Sequence, residues 1–149
     1  MDPIHSLIGG AAGAMTLTAA HQAAAKTIPH APRVDVVGRR AIAGSARALG
    51  LAPPAGDRLQ ATALGMDLAS NAAYYAMLGL SKPEHLWRNA LGLGLAAGIG
   101  AVALPPVMGL GSKPTARRPD TALMTVAWYT LGALTAAAVI NALRKPPQG

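Results

Sequence analysis

Four stretches of this chain run for more than twenty residues with at most one formal charge, and no other feature constrains its folding as strongly. They cover residues 4–25, 59–80, 89–112 and 121–143. A helix rises about 1.5 Å per residue and the hydrocarbon core of a bilayer is roughly 30 Å thick, so each stretch is long enough to cross one. Charged residues make up 13% of the 149 positions, against about a quarter in ordinary soluble domains. Hydrophobic residues reach 52%, yet phenylalanine is absent and aromatics are 3%. The apolar bulk is Ala, Leu, Gly and Met. Small residues suit helices that approach closely in lipid, where contact rather than expelled water holds them together. These features predict an all-α integral membrane protein forming a single domain, with four transmembrane helices and one amphipathic interfacial helix between the first and second.

The first stretch begins MDPIH, without the basic n-region of a signal peptide, and its apolar run is too long for an h-region, so a retained helix is expected. With no cysteine in the chain, disulfides, thiolate metal sites and cysteine nucleophiles are excluded. The formal net charge is +7. In a membrane chain such charge sets topology and meets anionic headgroups, and no nucleic-acid partner is expected. Lys26, Arg33, Arg39, Arg40, Arg47 and Arg58 lie between the first two stretches, and Lys113, Arg117 and Arg118 between the last two. The other side receives Lys82, Arg88, Arg144 and Lys145. The excess places the first group in the cytoplasm of a bacterial inner membrane, with both termini periplasmic.

Residues 35–50 carry the interfacial helix. Val34, Val37 and Ala41 form one line with Ile42, Ala46 and Leu49 beside it, while Arg39, Arg40 and Arg47 are available for lipid headgroups. PPAG at 53–56 is expected to stop it. Pro105 and Pro106 are expected to break the third span, and Asp120 to cap the fourth. A faint repeat pairs PHAPRVD (29–35) with KPTARRPD (113–120), and NAAYYAMLG (71–79) with TVAWYTLG (125–132).

Asp67 is the one charge inside a span. On a helical wheel Asn71 lies at about +40° from it, Tyr74 at about −20° and Gln60 at about +20°. A central Asp costs roughly 2.5–3.5 kcal/mol to insert and each Leu returns about 0.3–0.6. The seven Leu and Met residues of the stretch cancel Asp67 and leave nothing for the amides. The stripe therefore faces helices, a partner or water. Neighbouring spans offer Thr18, His21 and Gln22, and a line through Thr121, Thr125 and Trp128. Gly9 with Gly13, and Gly94 with Gly98, are small-xxx-small packing ridges. Tyr74 and Tyr75 read as interface anchors.

No HExxH, GxSxG or Walker loop occurs and no intramembrane carboxylates pair, so no enzyme, catalytic residue, cofactor or metal site is expected. The leading expectation is a structural or accessory subunit that packs with itself, as a homo-oligomer, or with a larger membrane complex. An alternative is a small proton-coupled transporter or channel with Asp67, Asn71, Tyr74, His21 and Thr125 along its path. A further alternative is tetrapyrrole binding through His21.

Overall fold

The computed structural model describes residues 2–144 and is all-helical over that range. Lys145, counted above for topology, lies outside the described residues. Six α-helices follow in order: α1 (Pro3–Thr27), α2 (Val34–Ala48), α3 (Gly56–Ala76), α4 (Leu86–Val107), α5 (Lys113–Ala116) and α6 (Pro119–Leu143). Short 3₁₀ turns at Met77–Leu80 and Pro83–His85 join α3 to α4. Two helical segments, Pro83–Val107 and Pro119–Leu143, are long and apolar enough to cross a membrane. α1 and α3 have the length, but Gly, Ala and polar residues dilute the first, and Asp57, Arg58 and Asp67 charge the second.

Local chemistry sets the helix ends. Asp2 accepts from the Ile4 amide at 2.9 Å and Pro3 opens α1, so one orphan donor is satisfied and another removed. α2 stops before PPAG rather than at it. Gly50 takes φ of 72°, Leu51 N–H donates to the Ala46 carbonyl at 2.8 Å and Gly50 N–H to Arg47 at 3.0 Å, a Schellman closure that needs a left-handed residue. α4 ends the same way: Gly109 has φ of 75° and Leu110 N–H donates to Pro105 at 2.8 Å. Pro105 and Pro106 sit inside its last turn, and the helix ends one residue beyond them. At α6 the capping position belongs to Arg118. Asp120 sits in the first turn, where it accepts from the Thr121 amide at 2.9 Å.

α6 is the centre of the bundle. α1 packs antiparallel on one side of it and α4 on the other, α3 lies against α1, and α2 crosses the first half of α3. The glycine ridges are consumed inside the chain. A methyl group placed on Gly94 would sit 2.6 Å from Thr130 Cα, and one on Gly98 2.6 Å from Val126 Cα. Gly9 abuts Ile140 and Ala136, and Gly13 abuts Gly132.

The resulting interior is made of small groups: Ala14, Ala90, Ala133, Ala136 and Ala137 pack around Leu17, Tyr75, Leu78, Leu86 and Ile140. Larger apolar side chains point outward, with Met15 at 65%, Leu80 at 88%, Val107 at 83% and Leu123 at 71% exposure. The outside of the bundle thus carries many exposed large apolar side chains.

Candidate functional site

The Lys/Arg-rich loops meet at one end of the bundle. Arg33 N–H donates to the Pro114 carbonyl at 2.7 Å and Thr121 Oγ1 donates to the His30 carbonyl at 2.8 Å. The two segments matched in the repeat, 29–35 and 113–120, thus pack on each other. Arg40 Nη1 donates to Leu110 O at 2.6 Å, tying α2 to the carboxyl end of α4. Arg33 Nε and Nη2 each donate to the Asp35 carboxylate at 2.9 Å and Arg39 adds a contact at 3.1 Å. The Arg33 hydrogen bonds hold the Asp35 carboxyl below its ordinary range. Of the three arginines expected to meet headgroups, Arg39 and Arg40 are therefore engaged within the chain. Arg47, at the exposed end of α2, keeps that role open.

Beneath this cap lies a cavity of about 440 Å³ between α1, α2 and α3. Its walls are the last turns of α1, the start of α2 and the first half of α3. Lys26 and Arg33 line it, as do His21, Gln22 and Gln60, with Asp67 farthest along α3. Asn71 Nδ2 donates to Asp67 Oδ1 at 3.0 Å and to the Asp67 carbonyl at 2.9 Å; Thr18 Oγ1 donates across from α1 to Oδ2 at a long 3.5 Å. One good side-chain hydrogen bond and one weak one leave the carboxylate with acceptor capacity to spare. Ser70, on the same stripe, spends its hydroxyl on its own helix at the Asp67 carbonyl.

Beyond Asp67 the bundle closes. A methyl group on Gly10 would run into the Ala72 carbonyl, so α1 and α3 touch backbone to backbone there. One turn on, Tyr75 fills the slot between Gly13 and Gly132, fully buried, and its hydroxyl donates to the Tyr129 carbonyl at 2.8 Å. Beyond Asp67 the α1–α3 contact thus closes the inner end of the cavity, while Gln22, Lys26, Arg33 and Gln60 along it are exposed.

The structure brings together Asp67, Asn71, Thr18 and His21, but not Thr125. The Thr125 hydroxyl lies 2.9 Å from both the Thr115 and Thr121 carbonyls, and α5 occupies the face it was expected to share with Asp67. Tyr74 and Tyr75 are not interface anchors. Tyr74 donates to the Leu93 carbonyl at 3.0 Å, bridging α3 to α4, and Tyr75 is in the core. His21 makes no bond to Asp67. Its Nδ1 lies 3.2 Å from the Leu17 carbonyl, which fixes the proton on that nitrogen, and its ring packs edge-on to Tyr129 at 5.8 Å. Nε2 is enclosed and without a protein partner. No group of three or more His, Cys, Asp or Glu side chains suited to a metal occurs among the described residues.

Lys26, Pro32 and Gly38 belong to the cavity and were not read from the sequence as site residues. The available signal was the position of Lys26 two turns after Thr18 on the same face of α1. No family model matches the chain, and neither a curated protein nor a solved structure matches it.

Proposed function

We propose that this is a non-enzymatic, four-span inner-membrane protein that takes a small polar solute into the α1–α2–α3 cavity from the cytoplasmic side, with Asp67 as the anchoring group. The observation that carries the reading is a carboxylate at the closed inner end of a cavity lined by His21, Gln22, Gln60 and Lys26, midway along α3. α1 and α3 join the two more apolar helices as spans, because Ile4, Leu7 and Met15 on one and Met66 on the other face outward, as does Met77 in the turn after α3. The Lys/Arg excess sets the cavity mouth in the cytoplasm and both termini in the periplasm. The close α1–α3 contact beyond Asp67 fits a binding or carrier site and not an open pore.

The cysteine-free background makes the test direct. Thr18→Cys and Ala63→Cys should react with a membrane-impermeant maleimide in inside-out vesicles and stay unreactive in right-side-out ones. Labelling from neither face, or from the periplasmic face alone, overturns the proposal.

A second reading, an accessory subunit packed in a larger membrane assembly, draws on α4. Gly92, Ala96 and Gly100 recur every four residues on a face that the bundle leaves largely uncovered, unlike Gly94 and Gly98. Disulfide cross-linking of Ala96→Cys in native membranes tests it, and a strictly monomeric product counts against it.

A further inference from the structure

The charges of the cavity are separated along its length, and we infer that its ligand is a small zwitterion with several methylenes between an ammonium and a carboxylate group. The ammonium is held at Asp67 and the carboxylate at Lys26 and Arg33. This assignment rests on the solute-binding reading above and names the solute class.

Three observations meet here. Asp67 is the one carboxylate at the inner end, and its Oδ2 holds only the long Thr18 contact. A ligand N–H⁺ donor would complete the set that Asn71 and Thr18 begin, and a charge-assisted bond is the strongest this carboxylate can gain. At the mouth, Lys26 takes part in none of the ion pairs among the described residues, whereas Arg33 is held in place by Asp35, whose carboxylate also lines the cavity and leaves Lys26 as the surplus positive charge there. Lys26 is thus an exposed cation over a cavity whose other basic group is already oriented. Between the two ends Ala25, Ala63, Leu64 and Val34 give an apolar strip that suits a methylene chain, with His21, Gln22 and Gln60 beside it.

The spacing sets the length. Thr18, which touches Asp67, and Lys26 are eight residues apart on one helix, about 12 Å along its axis. The Lys26 side chain can reach back over part of that distance. An α-amino acid, whose two charges are separated by a single carbon, cannot contact both ends at once. An ω-amino acid with four to six methylenes can, and the volume of about 440 Å³ admits it. A phosphoethanolamine headgroup has the same two charges on a shorter spacer, so chain length separates a free solute from a lipid source.

Titration calorimetry on the purified full chain in nanodiscs decides the matter, with glycine, ω-aminobutanoate, ω-aminohexanoate, phosphoethanolamine, hexylamine and hexanoate as probes. ω-Aminohexanoate should bind about tenfold or more tighter than glycine, phosphoethanolamine or either monofunctional hexyl compound. Lys26→Gln, an exposed change that leaves the fold intact, should weaken ω-aminohexanoate about tenfold while leaving hexylamine unaffected. Asp67→Asn should weaken ω-aminohexanoate and hexylamine alike. Equal binding of glycine and ω-aminohexanoate, preference for phosphoethanolamine, or no binding by any probe overturns the assignment. If Thr18→Cys is still labelled from the cytoplasmic face in that case, the cavity reading stands and only the ligand class falls.

Discussion

The Tyr75 hydroxyl donates to the Tyr129 backbone carbonyl at 2.8 Å, and by this bond the second pair of repeat-matched segments meets in the core. The ring occupies a slot that exists because Gly13 and Gly132 lack side chains: a methyl on Gly132 would lie 2.9 Å from the Tyr75 oxygen. Removing the hydroxyl and removing the ring should therefore differ in cost. Tyr75→Phe loses one buried hydrogen bond, about 1 kcal/mol, while Tyr75→Ala leaves a cavity worth about 3–5 kcal/mol. Thermal unfolding in mild detergent should show a small decrease in Tm for the first and loss of a cooperative transition for the second. Equal effects would mean that the ring is not packed as described.

Glycines in this bundle divide into two groups. Gly10 meets the Ala72 carbonyl and the Ala76 backbone, neither of which can rotate away, so Gly10→Ala must push α1 from α3 at a cost of about 1–3 kcal/mol or more. Gly44 and Gly65 have nothing near the site of an added methyl, so Gly44→Ala and Gly65→Ala should each stabilise by about 0.5–1 kcal/mol through helix propensity. Opposite signs in the same unfolding assay are expected. Destabilisation of similar size at all three positions would contradict the packing.

Asp35 links stability to pH. Arg33 holds the folded carboxyl below its ordinary value of 3.8, so as pH falls the unfolded chain takes up this proton first. The stabilisation is complete above that value and is lost as pH drops through the lower, folded pKa. The pair is largely exposed, so after solvent screening it contributes less than about 1 kcal/mol. Asp35→Asn should lower Tm slightly at neutral pH and flatten its decline below about pH 4. An unchanged acid limb of the Tm profile would show that Asp35 does not produce it.

His30 takes φ of 66°, a left-handed conformation unusual for a residue with a side chain, while its carbonyl accepts from Thr121. His30→Gly should be neutral or stabilising by up to about 1 kcal/mol, and His30→Val destabilising by about 1–2 kcal/mol, because β-branching is worst tolerated there. Chemical denaturation would separate the two, and a more stable His30→Val variant would sink the argument.

Much of the helix layout was legible before the coordinates. Charge-free runs marked the long helices to within a few residues, and the spacing of Gly9, Gly13, Gly94 and Gly98 marked faces that do pack closely. The wheel also put Asn71 beside Asp67. Its failures share a cause: periodicity gives direction around an axis but not which neighbour stands at a given depth. Thr125 points inward as its phase requires, yet at its level the neighbour is α5, a four-residue helix with no periodic signal. Tyr75 read as an anchor because the slot that buries it is made by glycines more than fifty residues away in each direction. Arg40 read as a headgroup ligand because nothing local announces a carbonyl seventy residues later in the chain.

Because both α1 and α4 rest on α6, the last of the described helices to leave the ribosome is the one that organises the others. The small-residue faces of α1 and α4 have no counterpart until synthesis reaches residue 119 and beyond. Assembly of the bundle therefore waits for the end of synthesis, and a chain halted before α6 would leave those faces of α1 and α4 uncovered.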